Sequence, residues 1–294
     1  MLGVVGDIVQ DVIVRQREPR HDATDTDSEI VTRRGGSAAN VAAFAAPRHA
    51  TRFLGCVGLD LTGRALEEEL TARGVQLRLQ VTPDAPTGMI VVLVDVDGER
   101  TMFPSRGANT RMGPIDPSWL DDLDILHVTA YSFQSGPTAD AVLDAVARQH
   151  DRGGLVSLDV SSAGLIRNYG VAAFLDLVGQ CRPEIVSANE DECRLLGLAE
   201  DGAPGPMLPR LSGATLLARR GARATTVLRD GQVIATVPVP PVDDVCDLTG
   251  AGDAFNAGFL TAYLRTGGDL MASCEAAHAL AARVVRSPGA TEEH

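Results

Sequence analysis

Near its C-terminal end the chain reads Asp247-Leu248-Thr249-Gly250-Ala251-Gly252-Asp253-Ala254-Phe255. Two glycines two positions apart precede an acid, and small or apolar residues predominate as far as position 262. A helical segment that is apolar around most of its circumference is typical of a buried helix rather than of a surface helix. The stretch therefore predicts a glycine loop that leads into a buried helix.

This predicted loop has the features of an anion-binding site. The first turn of a helix has backbone N–H groups without partners and carries the positive end of the helix dipole. Gly250, Ala251 and Gly252 place no bulky side chain between these groups and an incoming phosphate. Asp253 would repel a phosphate beside it, so we expect it to act as the general base that takes the proton of an attacking hydroxyl. From the loop alone, a tight turn followed by a first-turn acid is an equally good interpretation.

A second glycine-rich stretch favours the catalytic interpretation. It reads Gly35-Gly36-Ser37-Ala38-Ala39-Asn40-Val41-Ala42, and small residues again lead into an apolar segment. Together the two stretches resemble the signatures of the ribokinase-like (PfkB) carbohydrate kinase family. Those signatures are a Gly-Gly pair with Asn four residues later, and the pattern Asp-x-Thr-Gly-Ala-Gly-Asp-x-Phe. Both occur here in the right order and separation, and further matches extend along nearly the whole chain.

The resemblance and the pattern of elements agree on the fold. From position 121 onward, apolar strand-like runs alternate with helical segments, which is typical of βαβ units around a parallel sheet. The resemblance implies an α/β fold of the ribokinase type, a three-layer α/β/α sandwich with a mostly parallel central sheet and a small β lid. We expect one domain over residues 1–294, with lid strands inserted at about 12–34 and 86–107. The pair Asp97-Gly98 predicts a hairpin within the second insertion.

Composition limits the function classes. The 294 residues are 45% hydrophobic, enough for a full core, and carry a net charge of −13. Such a chain lacks the basic face that binds nucleic acid or an anionic membrane. No apolar run approaches the roughly 20 residues that span a bilayer, and no signal peptide is visible, so we expect a cytoplasmic protein. The five cysteines include no C-x-x-C pair and are expected to be reduced thiols.

Residues after the first strand are candidates for binding the acceptor. Asp7 and Asp11 follow the apolar run that begins the chain, and ligands of open α/β sheets bind beyond the carboxyl ends of strands. The resemblance favours Asp11 as the residue that binds sugar hydroxyls, with a solvated turn acid as the alternative. It places four more residues in the acceptor site, namely Gly35, Gly36, Asn40 and, at the end of the lid, Asn109.

The resemblance also implies a site for ATP and Mg²⁺. Asn189 and Glu192 match an Asn-x-x-Glu motif in which the Glu helps to organise Mg²⁺ through water, although Asn followed by acids is also an ordinary helix start. Arg219 and Gly221 lie in a segment expected beside ATP. Ala224 departs from the family there, because a second glycine is usual at its position.

Two further expectations follow from the resemblance alone. Asp247 and Thr249 match positions that hold a monovalent cation such as K⁺ in many relatives, with helix capping as the alternative. His278 stands where the family often has Asn near the adenine.

We therefore expect an ATP-dependent kinase that phosphorylates a hydroxyl of a sugar or sugar-like molecule, with Asp253 as base. A nucleoside kinase of the same family is an alternative, in which Met102 and Phe103 pack against a base. Arg100 and Arg106 would instead suit a sugar acid or sugar phosphate. A catalytically silent ligand-binding relative is the alternative from another class. Relatives commonly pair through the lid, so a homodimer through this sheet is a further prediction.

Overall fold

Strands and helices alternate along the chain as the sequence predicts. The computed structural model describes residues 1–292. The strands are β1 (Leu2–Val5), β2 (Val9–Gln16), β3 (Ser28–Gly35), β4 (Thr51–Gly58), β5 (Gln76–Thr82), β6 (Gly88–Val94), β7 (Arg100–Ser105), β8 (Ile125–Thr129), β9 (Leu155–Asp159), β10 (Ile185–Asn189), β11 (Ala199–Glu200), β12 (Ala203–Pro204), β13 (Thr215–Arg219), β14 (Ala224–Arg229) and β15 (Gln232–Pro238). The helices are α1 (Ser37–Ala45), α2 (Leu61–Ala72), α3 (Gly136–Asp151), α4 (Ala163–Tyr169), α5 (Val171–Cys181), α6 (Glu190–Leu196), α7 (Ala251–Thr266) and α8 (Leu270–Val284).

A nine-stranded sheet forms the centre of the fold, in the order β15-β14-β13-β10-β9-β8-β1-β4-β5. The strands from β13 to β5 run parallel, and β14 and β15 are antiparallel additions at one edge. β1 lies between β4 and β8, and all four of its residues are buried. Strands that are buried on both faces and apolar throughout are typical of parallel sheets covered by helices.

Two layers of helices cover this sheet. On one face, Phe53 of β4 belongs to a core with Phe44 of α1 and Phe259 of α7. On the other face, the next residue, Leu54, packs in a core that contains Val142 of α3 and Phe174 of α5. Successive residues of one strand therefore reach opposite cores, because side chains alternate between the two faces of a sheet. The result is the predicted three-layer α/β/α sandwich.

A separate four-stranded sheet in the order β3-β2-β6-β7 forms the lid. β2 pairs antiparallel with β3 and parallel with β6, and β6 and β7 form the hairpin that Asp97-Gly98 predicts. The sheet begins at Val9 rather than at the expected position 12, because Val9 already pairs with Gly35 and Gly88. Within residues 1–292, no helix combines the length and the apolar character needed to cross a membrane.

Asp60 connects the lid to the central sheet. It is the N-cap of α2, where its Oδ1 accepts hydrogen bonds from the Gly63 N–H at 2.8 Å and from Thr87 Oγ1 at 2.8 Å. Its Oδ2 accepts the Thr87 N–H at 2.7 Å, directly before β6 begins. One carboxylate thus fixes the start of a helix and the start of a lid strand.

We predict that Asp60→Ala lowers the free energy of unfolding by about 2 kcal/mol or more, because it removes a helix cap and leaves the Thr87 groups without their acceptor. Urea denaturation followed by circular dichroism measures the loss.

Asp116→Ala is the matched control. Asp116 also caps a helical turn, but this turn is short and exposed, and its carboxylate accepts hydrogen bonds from Ser118 alone. Equal losses of stability in the two variants would show that the link to Thr87 contributes nothing.

Candidate active site

A cavity of about 930 Å³ lies between the lid and the carboxyl ends of the parallel strands. The last residues of β9, β10 and β13 line it, namely Asp159, Asn189 and Arg219. Ligands bind at this edge in open α/β sheets because the strand ends and the helix N-termini meet there. The predicted site residues in its wall are Asp11, Gly36, Asn189, Glu192, Arg219, Asp247, Thr249, Gly250, Gly252 and Asp253.

Asp253 lies in the first turn of α7, in the wall of the cavity. Its Oδ1 accepts a hydrogen bond from Ser37 Oγ at 2.6 Å, and its Oδ2 accepts one from Asn40 Nδ2 at 2.8 Å. Burial raises the pKa of Asp253 to about 7, opposed by these two hydrogen bonds and increased by the charges of Asp159 and Asp7. A carboxylate with a pKa near neutral is well matched to taking a proton from a hydroxyl.

Asn40 holds this carboxylate in place. Its Oδ1 accepts a hydrogen bond from Arg34 Nη1, so its NH₂ group is the part that faces Asp253. Arg34 is only 4% exposed, and it also donates to Glu69 Oε1 at 3.1 Å and to the carbonyl oxygen of Ala290 at 3.4 Å. In the structure the side-chain hydrogen bonds of Asn40 orient Asp253, and its predicted contact with the acceptor stays a prediction.

Other parts of the chain approach the glycines of the C-terminal loop closely. Gly250 has φ = +79°, and a Cβ on it would lie 2.6 Å from the Cβ of Ala290. A Cβ on Gly252 would lie 2.6 Å from Nη1 of Arg219. Glycine therefore allows both the left-handed turn before α7 and the contact of a guanidinium with the loop.

The predicted anion hole is only partly free. The first internal hydrogen bond of α7 runs from the Ala254 N–H to the Gly250 carbonyl oxygen at 2.8 Å, so the Gly252 N–H precedes the helical ladder. The N–H of Ala251 instead donates to the carbonyl oxygen of Leu248 at 3.2 Å. Of the three predicted donors, Ala251 thus has a partner within the chain.

Asp11 projects from β2 into the cavity with an unmatched polar atom. Its Oδ1 is buried and has no hydrogen-bond partner within residues 1–292. Burial raises the pKa of Asp11 to about 6, increased by the charge of Asp7 and opposed by that of Arg34. A Cβ on Gly35 would overlap the carboxylate, so glycine makes room for it. A buried oxygen without a donor suits a ligand that brings a hydroxyl.

Asp7, the other acid after the first strand, has a structural task. Its carboxylate accepts the N–H groups of Ser37 and Ala38, both at 3.2 Å, at the start of α1. Gly36 has φ = +91°, and a Cβ there would lie 2.6 Å from the carbonyl oxygen of Asp7. The preference for Asp11 over Asp7 as the ligand-binding acid agrees with this geometry.

Asn189 and Glu192 form a capping box at the start of α6. The Glu192 N–H donates to Asn189 Oδ1 at 3.0 Å, and the Asn189 N–H donates to Glu192 Oε2 at 2.8 Å. Burial raises the pKa of Glu192 to about 7, increased by the charge of Asp159 and opposed by Arg219, whose Nη2 donates to Asp159 Oδ1 at 3.0 Å. Asp159 and Glu192 thus supply carboxylate oxygens at the cavity wall, the type of ligand that Mg²⁺ prefers.

Asp247 and Thr249 contact an arginine of the lid. Arg100 of β7 donates from Nη2 to Asp247 Oδ1 at 2.7 Å and from Nη1 to Thr249 Oγ1 at 2.6 Å. Asp247 also accepts the N–H groups of Thr249 at 2.8 Å and of Gly289 at 3.0 Å. Burial acts to raise the pKa of Asp247, but these N–H donors and Arg100 outweigh it and lower the pKa.

His278 and Gly221, two of the predicted site residues, lie outside the cavity wall. The ring of His278 is 4% exposed, its Nε2 lies 2.8 Å from Thr225 Oγ1, and its centroid lies 5.6 Å from that of the Phe255 ring. His278 therefore packs in the core beside α7 and does not face the cavity. Gly221, with φ = +59°, lies in the exposed turn between β13 and β14.

Asn109 also differs from expectation. Its Nδ2 donates to the carbonyl oxygens of Ile8 at 2.9 Å and Arg106 at 3.0 Å, and its Oδ1 accepts the Ile8 N–H at 2.9 Å. The side chain is committed to backbone groups and lies outside the wall of the large cavity. It joins the end of the lid to the segment after β1.

The sequence analysis missed three residues that shape the site. Ser37 follows Gly36 within the quoted stretch, so its place at the helix start was a usable signal. Asp159 ends a predicted strand at the same edge as Asn189, and the rule about strand ends applies equally to it. Arg34 gave no signal, because it lies in a charge-rich segment and two of its partners, Glu69 and Ala290, are distant in sequence.

Comparison with known proteins agrees with this geometry. The whole chain, residues 1–294, matches the model of the pfkB family carbohydrate kinases. The chain is 31% identical over 287 residues to the ATP-dependent ribose-1-phosphate kinase of Halopiger xanaduensis, covering 94% of this chain and 90% of the relative. It is 28% identical over 260 residues to the adenosine kinase of Dictyostelium discoideum, covering 81% of this chain and 74% of that one.

The fold has close counterparts among solved structures. The adenosine kinase from Sinorhizobium meliloti superposes with a TM-score of 0.84 at 23% identity, over 98% of this chain and 94% of that chain. The predicted ribokinase-like fold is thereby confirmed. Since the family model matches from end to end and a relative above 30% identity covers most of the chain, this protein belongs to the pfkB family of carbohydrate kinases and is an ATP-dependent kinase.

Proposed function

We propose that this kinase transfers the γ-phosphate of ATP to a hydroxyl of a sugar or nucleoside, with Asp253 as the general base. The observation that carries the proposal is the placement of the Asp253 carboxylate. It lies in the cavity wall beside the first-turn amides of α7, held by Ser37 and Asn40, with a pKa of about 7. A base and an anion site thus adjoin one another, as phosphoryl transfer to a hydroxyl requires.

On the acceptor side, Asp11 binds a hydroxyl through its free Oδ1, and Gly35 makes room for the Asp11 carboxylate. The reacting hydroxyl then lies against Asp253, which accepts its proton as the oxygen attacks phosphorus. Ser37 and Asn40 keep the base in one orientation. Positioning of this kind supplies much of the rate acceleration in phosphoryl transfer.

On the donor side, the N–H groups of Gly250 and Gly252 stabilise the charge on the transferring phosphoryl group. Loss of one such donor typically costs on the order of 3 kcal/mol of transition-state stabilisation. Arg219, which touches the loop at Gly252, adds positive charge. Mg²⁺ bound with ATP neutralises phosphate charge, and Glu192 would hold it through water. Glu192 has a pKa of about 7, so it is ionised only in part until a cation arrives.

The inner face of the lid favours a nucleoside as a second candidate acceptor. Met102 faces the cavity, whereas Phe103 lies on the opposite face of β7, so only one of the two residues expected against a base is placed there. Apolar side chains on three lid strands line the cavity, namely Ile13, Ile90, Val92, Met102 and Pro104. A flat base would bury this surface, which a free sugar would leave in contact with water.

The two arginines considered for an anionic acceptor have other partners. Arg100 is bound to Asp247 and Thr249, and Arg106 lies 3.7 Å from Asp7 and 4.7 Å from the centroid of the Tyr131 ring. Both arginines therefore already have partners within the chain. Ribose 1-phosphate, named for the Halopiger relative, is the anionic acceptor to compare with free sugars and nucleosides.

We also propose that two copies pair through the outer face of the lid. Ile30 is 63% exposed and Phe103 is 54% exposed. Together with their neighbours they form an apolar face, consisting of Val12, Val14, Ile30, Met89, Val91, Leu93 and Phe103. A contiguous exposed apolar face of this kind is typical of an interface.

The proposed location is the cytoplasm, where ATP is available. The five cysteines are free thiols, and all but Cys246 are buried. Reduced thiols fit a reducing compartment.

We predict that Asp253→Asn lowers kcat by about 10²- to 10⁴-fold, because Asn cannot take the proton. The KM for ATP is expected to stay close to the wild-type value, since the amide donors remain. Coupled measurement of ADP release, with calorimetry of Mg-ATP binding, checks both. Asp201→Asn, at an exposed turn, is the matched control. The melting temperature of Asp253→Asn at pH 8 should not fall, because the substitution removes a buried charge.

The same assay over free sugars, nucleosides and ribose 1-phosphate identifies the acceptor class. Turnover on nucleosides alone, with a KM that rises in Met102→Ala, would support the apolar lid face as a base-binding surface. Turnover on free sugars with no effect of Met102→Ala would exclude it. Turnover in Asp253→Asn near the wild-type rate would contradict the assignment of Asp253 as the general base.

We predict that the pH profile of kcat/KM has an acid limb, a range of low pH in which kcat/KM falls. Asp253 accepts a proton only when ionised, so kcat/KM should fall as the pH drops below about 7, and more steeply below about 6 where Asp11 is also protonated. Ser37→Ala removes a hydrogen bond that lowers the pKa of Asp253, so the limb should move to higher pH. Ser118→Ala, at an exposed turn, should leave the limb unchanged. A limb that does not move in Ser37→Ala would contradict the assignment.

We predict that Ile30→Asp converts a dimer to a monomer without loss of the fold, because a charge in the interface opposes burial. Sedimentation velocity over a range of concentrations measures this change. Glu29→Asp, at the neighbouring position, keeps its charge and is the control. A wild-type protein that sediments as a monomer throughout would exclude pairing by this face.

A further inference from the structure

Arg100 connects the lid to the loop before α7. Its guanidinium reaches Asp247 at 2.7 Å and Thr249 at 2.6 Å, across 147 and 149 residues of chain. The side chain of Asp247 is 7% exposed, and that of Arg100 is 34% exposed. The Arg100 guanidinium and the mostly buried Asp247 carboxylate thus form a charge-assisted hydrogen bond, which is stronger than a hydrogen bond between neutral groups.

The oxygens expected to bind a monovalent cation are already matched with donors. Oδ1 of Asp247 accepts hydrogen bonds from Arg100 and from the Thr249 N–H, and Oδ2 accepts the Gly289 N–H. Thr249 Oγ1 accepts from Arg100 as well. K⁺ is held by oxygen atoms that replace its hydration shell. A second positive charge at these oxygens would meet a guanidinium, so the donor set does not fit K⁺.

We propose that Arg100 takes the place of the monovalent cation at Asp247 and Thr249 and thereby positions the phosphate-binding loop without K⁺. It is a positioning residue, because it acts through the loop and not on the reacting atoms. The inference goes beyond the proposed function, since it concerns how the nucleotide site is held and not which acceptor is used.

The chemistry of the side chain suits this role. A guanidinium has several N–H donors in one plane, so it binds the carboxylate and the hydroxyl together, whereas the ammonium of lysine is a single point of charge. It neutralises Asp247, whose charge would otherwise repel the phosphates of ATP. Since it is part of the chain, this cation is present at every salt composition.

Arg100 belongs to a strand of the lid, and its contact with the loop therefore depends on the position of the lid. β7 also supplies Met102, which faces the acceptor cavity. One strand therefore contacts both the acceptor space and, through Arg100, the loop that leads to Gly250. Opening of the lid withdraws Arg100, so the phosphate-binding loop is fully supported only while the lid covers the site.

The test compares wild type, Arg100→Ala and Arg100→Lys in about 0.1 M KCl and in tetramethylammonium chloride of equal ionic strength. Arg17→Ala is the control, since Arg17 is an exposed lid arginine whose ion pair with Asp27 spans 4.0 Å. The readouts are the dissociation constant of Mg-ATP by calorimetry, the melting temperature, and kcat/KM with the best acceptor.

Wild type and Arg17→Ala are expected to change less than about twofold in every constant between the two salts. Arg100→Ala should bind Mg-ATP at least about tenfold more weakly in tetramethylammonium, because it leaves Asp247 without its counter-charge. K⁺ should restore part of this loss and raise the melting temperature of Arg100→Ala only. Arg100→Lys should lose less than Arg100→Ala and should not respond to K⁺.

Activation of the wild type by K⁺, by about tenfold or more, would overturn the proposal, and so would an Arg100→Ala protein that matches wild type in both salts. The binding and melting readouts need no acceptor. If the proposed acceptor chemistry is wrong, turnover is absent but Mg-ATP binding and melting temperature still differ between the two salts as expected. If the Arg100 proposal is wrong, those differences between the two salts do not follow the expected pattern.

Discussion

The rest of this structure depends on the burial of one carboxylate, that of Asp253, beside an anion site. Asp253 must be ionised to act as a base, yet burial and the charges of Asp159 and Asp7 raise its pKa to about 7. Ser37 and Asn40 hold it with hydrogen bonds, and Arg34 in turn fixes the amide of Asn40. A polar network that is fully paired specifies one geometry, whereas a partly paired one is costly.

The fold provides this network by bringing two helix N-termini to one edge of the sheet. Asp7 follows the central strand β1 and caps α1, which presents Ser37 and Asn40 toward α7. α7 begins at the glycine loop and carries Asp253 in its first turn. The same short segments that satisfy backbone groups therefore also place catalytic groups, so stability and chemistry depend on shared residues.

The fold and the two loops could be predicted from the sequence because their signals are local. Glycines at positions 36 and 250 have positive φ angles, and the residues around them carry the pattern. In the structure His278 and Asn109 form hydrogen bonds with protein groups, and a position in a motif does not fix which way a side chain faces. Arg100 lies in a predicted hairpin, but its partner is 147 residues away, and no local pattern indicates that contact. The seven residues of α4 span less than two full helical turns, too few for a clear apolar period in the sequence.

The packing of α1 against α7 has a consequence for synthesis on the ribosome. α1 is buried at eight of its nine positions, and Phe44 and Phe259 share one core. Residues 251–266 emerge long after residues 37–45, so the part of α1 that packs against α7 lacks its native partner until residue 266 has been synthesised. The glycine loop before α7 gains its contact with Ala290, at Gly250, still later. The nascent chain is therefore exposed to premature association through its first helix, and its phosphate-binding loop is complete only after residue 290 has been synthesised.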